Sequence, residues 1–179
     1  NDDYKISQVG EIPLVTGGIS EKIIHQNPND EKDYKELSAL TVSAPVGDRG
    51  SAVMIDKDKI LFIGGQQTGA EYAASNNAII IDISDSFNPK ISKKKSMHYP
   101  RAFADATILP NGDVFVNGGS ASNHASFEDF DFSILTPEIY KTNDNVWKKM
   151  SKTNFRRNYH SSSLLLPDGR IFVGGGDVW

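Results

Sequence analysis

The hydrophobic residues of this chain come in short runs and never settle into a helical period. Runs such as "KILFIGG", "NAIIIDI", "DVFVNGG" and "RIFVGGG" are rich in β-branched and aromatic residues, which suit a pleated, half-buried surface. Each run is closed off by glycine, proline, asparagine or aspartate, the residues that punctuate strands. No long segment places apolar residues at i, i+3, i+4 and i+7. The acidic stretch "NPNDEKDYKEL" (27–37) is expected to be one helical turn or a loop. The pattern predicts an all-β protein.

The runs recur. "RGSAVMIDKDKILFIGG" from Arg49, "RAFADATILPNGDVFVNGG" from Arg101 and "RNYHSSSLLLPDGRIFVGGG" from Arg157 align, with glycine pairs taken to begin at Gly64, Gly118 and Gly174. A fainter copy, "GEIPLVTGG", ends at Gly17 and Gly18. Every unit begins with a small or apolar run, then a turn, then a second strand. Pro110-Asn111-Gly112 and Pro167-Asp168-Gly169 carry the turn chemistry, and Asp56-Lys57-Asp58 reads as the turn of the first unit. Proline presets φ where the turn starts, and glycine accepts positive φ where it ends. The double glycine then marks a sharp turn or a close approach of backbones. After the second pair, "TPEIYKTNDNVWKKM" predicts two more short strands around Thr142-Asn143-Asp144-Asn145, with Tyr140 and Trp147 spaced by six residues.

Four strands in a unit of this size match a propeller blade. Glycine pairs followed by Tyr-six-Trp are the kelch pattern, from which the first unit departs by lacking the Tyr and Trp. The expected architecture is a kelch-like β-propeller segment of about three four-stranded blades, one partial propeller domain over 1–179. Its units run roughly over 10–48, 49–100, 101–156 and 157–179, the last incomplete. Propellers close with roughly four to eight blades, and an open ring leaves unpaired edges. The chain is therefore expected to be a piece of a larger protein, or to take its remaining blades from another polypeptide.

Composition narrows the function. The formal net charge of −4 disfavours a nucleic-acid surface, and the longest basic run, Lys93-Lys94-Lys95, is read as a solvated strand or loop. No apolar stretch is long enough for a transmembrane helix, so neither nucleic acid nor membrane is expected as a partner. There is no cysteine, hence no disulfide, no thiolate for zinc and no cysteine nucleophile. The glycine pairs end hairpins and do not open helices, so they are no phosphate cradle. Serines 161 to 163 read as small strand residues.

What architecture does not demand is the pair Tyr159-His160. The second unit begins Arg101-Ala102-Phe103-Ala104 and the third Arg157-Asn158-Tyr159-His160, so the repeat is satisfied by Phe-Ala. Spacing leaves two readings. One is hydrogen-bonded packing near a propeller axis, the commoner use of such a pair. The other is two ligands of one metal, since imidazole nitrogen and tetragonal nitrogen–oxygen ligation suit copper(II). Neighbours on a regular strand point to opposite faces, so the second reading requires the backbone to bend here. His25, His98 and His124 are read as surface or loop residues.

The third hairpin, together with "SAVMIDKDKILFIGG" and "FEDFDFSILTPEIY", resembles the galactose oxidase and glyoxal oxidase family, the copper radical oxidases built on a seven-bladed kelch propeller. The resemblance runs from about Gly10 to Gly176 and is strongest from Phe127 onward. It implies copper as cofactor, with Tyr159 as axial ligand and general base for the substrate hydroxyl proton, and His160 as an equatorial ligand. It also implies that Phe127 lines the substrate pocket, although an ordinary packing aromatic explains it as well. Gly69 and Ala70 stand where galactose oxidase has further sugar contacts, so galactose itself is in doubt. The family's radical tyrosine is cross-linked to a cysteine, and this chain encodes neither that cysteine nor a second histidine at a ligand position.

The resemblance thus implies a parent enzyme that oxidises primary alcohols or aldehydes with dioxygen, giving hydrogen peroxide. Its substrate would be a small alcohol, aldehyde or carbohydrate, and its location extracellular or at the cell surface. The chain's partners would be the remaining blades or the C-terminal domain of that parent, and the chain alone is expected to be inactive. The alternative is a non-catalytic kelch-type propeller that binds glycans or proteins.

Overall fold

The computed structural model describes residues 49–65, 73–85, 90–122 and 132–176 in full, and within residues 5–42 the backbone of five strands. Fifteen strands are described, and no helix among them. β1 (Lys5–Val9), β3 (Ile23–Asn27) and β4 (Asp30–Glu36) form one antiparallel sheet, and β2 (Ile19–Glu21) pairs with β5 (Leu40–Val42). The stretch expected as a helical turn or loop is thus largely strand β4, in register with β3 from Ile24↔Glu36 to Asn27↔Asp30. Local propensity in a short polar segment is weak, and the antiparallel ladder overrides it.

Two four-stranded meanders follow. β6 (Gly50–Asp56), β7 (Lys59–Gly64), β8 (Ala78–Asp82) and β9 (Lys90–Lys93) form the first. β10 (Ala102–Ile108), β11 (Val114–Ser120), β12 (Glu138–Lys141) and β13 (Val146–Lys149) form the second. β14 (Ser161–Leu165) and β15 (Ile171–Gly175) make a further hairpin. β6 packs on β10 and β10 on β14, so the first strand of each unit lies against the first strand of the next. This is the stacking of blades in a propeller.

The hairpin turns follow the expected chemistry. Gly112 and Gly169 hold φ of 81° and 84°, and each donates its N–H to the carbonyl three residues back, on Leu109 and Leu166. The core runs between the blades through Leu61, Ile63, Ala78, Ile80, Met97, Val114, Val116, Tyr140 and Trp147. The Tyr-six-Trp pair seals one seam. The two rings pack at 4.9 Å, and Trp147 Nε1 donates to the Lys95 carbonyl of the preceding blade at 2.6 Å. Asn145 Oδ1 accepts from Tyr140 Oη and from Lys95 N, each at 3.0 Å. The basic run therefore serves the seam through its backbone.

A buried ion pair seals the same seam lower down. Arg101 and Glu138 are both fully buried, with Arg101 Nη2 on Glu138 Oε2 at 3.0 Å. The guanidinium also donates to the carbonyls of Gly118 at 2.6 Å and Thr136 at 2.5 Å. Glu138 Oε1 accepts from His98 N at 2.8 Å and lies 2.7 Å from His98 Nδ1. Burial pushes the Arg101 pKa down, and Glu138 offsets part of that. His98 is half exposed, in keeping with its surface reading, but its backbone N and Nδ1 belong to this network.

The first two glycine pairs are where one blade hands over to the next. Gly64 and Gly65 have φ of 68° and 85°, Gly118 and Gly119 of 66° and 78°, and Gly175 and Gly176 of 71° and 97°. Gly65 N donates to the Arg101 carbonyl at 2.8 Å, and Gly119 N to the Arg157 carbonyl at 2.7 Å. A Cβ on Gly118 would sit 2.1 Å from that Arg157 oxygen, whereas one on Gly112 would meet nothing within 4 Å.

Two outcomes follow. Gly112→Ala should cost only the left-handed backbone, about 1–2 kcal/mol, while Gly118→Ala should cost clearly more; denaturant midpoints at unchanged slope measure the difference. Glu138→Ala, which strands Arg101 in the interior, should cost about 3–5 kcal/mol, read by calorimetry.

Candidate functional site

The third glycine pair, in structure, is Gly175-Gly176 and not the pair beginning at Gly174. Gly64 faces Gly50, Gly118 faces Ala104 and Gly175 faces Ser161 across their hairpins. The repeat spacing is therefore 54 and then 57 residues, not 54 and 56. The residues just before those partners are Arg49, Phe103 and His160, and all three have positive φ, of 69°, 61° and 63°. A left-handed non-glycine residue is uncommon, yet here it recurs at the same place in each unit. The conformation belongs to the repeat; only the side chain changes.

This corrects the pairing drawn from sequence. His160 matches Phe103, and Tyr159 matches Ala102. Because the arginines that cross to the glycines are Arg101 and Arg157, the third unit carries one residue more between arginine and strand. The surplus is taken up by a tight turn. Ser161 N donates to the Asn158 carbonyl at 3.0 Å, with Tyr159 and His160 as the two central residues. Positive φ at the second of these is what several turn types require.

The turn brings the two side chains to the same side. The Tyr159 and His160 rings lie 3.7 Å apart between centroids, tilted by 30°. A regular strand would have separated them. Tyr159 also meets the ring of Phe103 at 5.1 Å, edge to face, and the Arg49 guanidinium lies 5.4 Å from the centroid of that Phe103 ring. Phe103 thus touches both Arg49, which precedes β6, and Tyr159, in the turn that precedes β14. Both Tyr159 and His160 are exposed in this chain.

The preceding blade grips the turn on both shoulders. Asn158 Nδ2 donates to Ser133 Oγ at 2.9 Å, and Ser161 Oγ donates to Asp105 Oδ2 at 2.6 Å. Burial raises the Asp105 pKa, and the serine hydrogen bond partly opposes it. Asn158 Oδ1 is buried with no partner among the described residues. Asp105, Ser133 and Asn158 were not singled out from sequence. The extra residue was nevertheless countable: nine steps separate Arg101 from Pro110, and ten separate Arg157 from Pro167.

Phenol oxygen and imidazole nitrogen are donors that copper(II) accepts, and here they are adjacent. In that chemistry they fit copper, as part of a set: among the described residues no group of three His, Cys, Asp or Glu side chains converges on one point. Phe127, Gly69, Ala70 and His124 lie outside the described residues, and of His25 only the backbone is described.

Successive four-stranded antiparallel units stacked as blades define a propeller, and comparison with known proteins identifies its family. The glyoxal oxidase N-terminus family matches residues 38–178. The chain is 38% identical over 139 residues to a galactose oxidase of Gibberella zeae, covering 75% of this chain and 20% of that protein. It is 34% identical over 88 residues to a putative aldehyde oxidase of Artemisia annua, covering 48% of this chain and 15% of that one. Among solved structures, a fungal alcohol oxidase of the AA5 family in complex with copper superposes with a TM-score of 0.77 at 27% identity, over 88% of this chain and 33% of its own. The chain belongs to the glyoxal oxidase N-terminus family. It spans about a fifth of the length of the galactose oxidase it matches.

His160→Gly should keep the turn and stay within about 1 kcal/mol of wild type, because glycine takes positive φ freely. His160→Val, β-branched in the same conformation, should lose about 2 kcal/mol. Urea unfolding of the two variants is the check.

Proposed function

We propose that this chain is the part of a copper radical oxidase that supplies Tyr159 and His160 to the metal. The parent enzyme oxidises primary alcohols or aldehydes with dioxygen and releases hydrogen peroxide. The observation that carries this is the turn at 158–161, which faces a phenol and an imidazole the same way, 3.7 Å apart. Family membership and the likeness to a copper-bound alcohol oxidase support it.

Copper, when bound, would supply the electron transfer and the polarisation of the substrate oxygen. His160 would hold it through a ring nitrogen, with the left-handed backbone aiming the ring away from the strand. Tyr159 Oη would bind beside it and take the proton of the substrate hydroxyl. The packing of Tyr159 on Phe103 limits its swing, which keeps acceptor and substrate in register. Phe127 is assigned to the wall of the substrate pocket. The reading carries an extracellular or cell-surface location, and the kelch type of propeller, with it; no described helix is long and apolar enough to cross a membrane.

The test uses the full-length protein loaded with copper. Its electron paramagnetic resonance spectrum should show nitrogen-coordinated type 2 copper, and His160→Ala should reduce the nitrogen coupling. Tyr159→Phe should fold, since the ring's contact with Phe103 survives, and should lower kcat by about 10²–10⁴-fold, the range for a general base. No bound copper, or glycan binding without peroxide, would favour a non-catalytic propeller.

A further inference from the structure

The contact between Asp105 and Ser161 has a counterpart in the preceding interface. Asp105 occupies the position of Ser51, and Ser161 that of Ala104, by the shared strand registers. In the first interface Ser51 Oγ donates to the Ala104 carbonyl. A neutral hydroxyl is therefore enough to join two first strands at this point. The second interface uses a carboxylate instead, half-buried, which costs desolvation. It receives the hydroxyl of the residue directly after His160, at 2.6 Å. Ser161 is also the residue whose N–H closes the turn onto Asn158. So the acid grips the downstream shoulder of the turn, while Ser133 grips the upstream one.

Resting on the copper reading above, we infer that Asp105 is a positioning residue for the Tyr159–His160 pair, acting through Ser161 from the neighbouring blade. A hydroxyl-to-carboxylate bond is stronger and shorter than a neutral one. It holds the Ser161 peptide, and with it the left-handed His160, against the relaxation to an extended strand that would send the two rings to opposite faces. Outer partners of metal-binding side chains act in this way, and losing one typically weakens metal affinity by about 10–100-fold.

The same two strands contain a control. Thr107 Oγ1 and Ser163 Oγ are hydrogen-bonded at 2.5 Å, two residues further from the turn. Thr107→Val removes an interstrand bond without touching the turn.

The experiment uses copper-free full-length protein with ¹³C-labelled histidine. The His160 ring signal, identified by its loss in His160→Ala, is displaced by its stacking on Tyr159. Asp105→Ala should move that signal toward the position of an unstacked histidine and weaken copper binding about tenfold in a chelator competition. Asp105→Asn keeps an acceptor and should restore most of both. Ser161→Ala should match Asp105→Ala, and the double variant should be no worse than either, as expected of one shared interaction. Thr107→Val should lower the melting temperature yet leave signal and affinity alone.

If Asp105→Ala and Ser161→Ala lower the melting temperature as Thr107→Val does and leave the His160 signal unmoved, Asp105 is interstrand glue and the inference is wrong. Ser161→Ala removes only a hydroxyl and carries the test should Asp105→Ala not fold. If the signal moves as expected while His160→Ala does not change copper binding, the positioning stands and the copper reading falls.

Discussion

One backbone hydrogen bond organises the chain: the glycine N–H of one blade donating to the arginine carbonyl that opens the next. Gly65 reaches Arg101 and Gly119 reaches Arg157 in the same way. The approach is so close that no side chain fits at the neighbouring glycine. That crossing fixes where each new blade starts. It also fixes how much chain is left before the first strand must begin pairing. Where the remaining length matches, as after Arg101, the strand simply enters. Where one residue is left over, as after Arg157, the backbone turns to absorb it, and Tyr159 and His160 occupy the turn.

The candidate site is thus a by-product of a length mismatch that the fold then exploits. The left-handed residue was already part of the repeat at Arg49 and Phe103. Adding one residue in front of it converts a strand start into a turn that presents two side chains together. The neighbouring blade holds that turn with an aromatic edge, a serine and a carboxylate. The buried Arg101–Glu138 pair works at the preceding seam, tying the arginine that crosses between blades to the "TPEIY" strand.

Much of the fold was legible because short β-rich runs and turn residues are local signals. The hairpins at Pro110-Asn111-Gly112 and Pro167-Asp168-Gly169, the strands around Thr142 to Asn145, and the all-β class depend on residues a few positions apart. The strand at Asp30–Glu36 was missed for the complementary reason: its polar sequence has little preference of its own, and its pairing with Ile23–Asn27 decides its state. The glycine register of the third unit was misread by one because Gly174, Gly175 and Gly176 are chemically identical. Only the cross-strand partner, Ser161 opposite Gly175, tells them apart.

Residue identity alone singled out Tyr159 and His160, since a phenol and an imidazole stand where a sister repeat shows that neither is needed. It also determined the family, through motifs spread over most of the chain. Tertiary structure decided that the two rings face the same way, that His160 and not Tyr159 is the counterpart of Phe103, and that Asp105 belongs with them. The physical reason is that side-chain direction depends on φ and on cross-strand register, and both are set by contacts between blades some fifty residues apart. A one-residue shift reverses which face a strand residue occupies. No local pattern in the chain encodes that shift except the length between Arg157 and the turn at Pro167, whose meaning appears only once the arginine is seen bonded to the glycine of the blade before it.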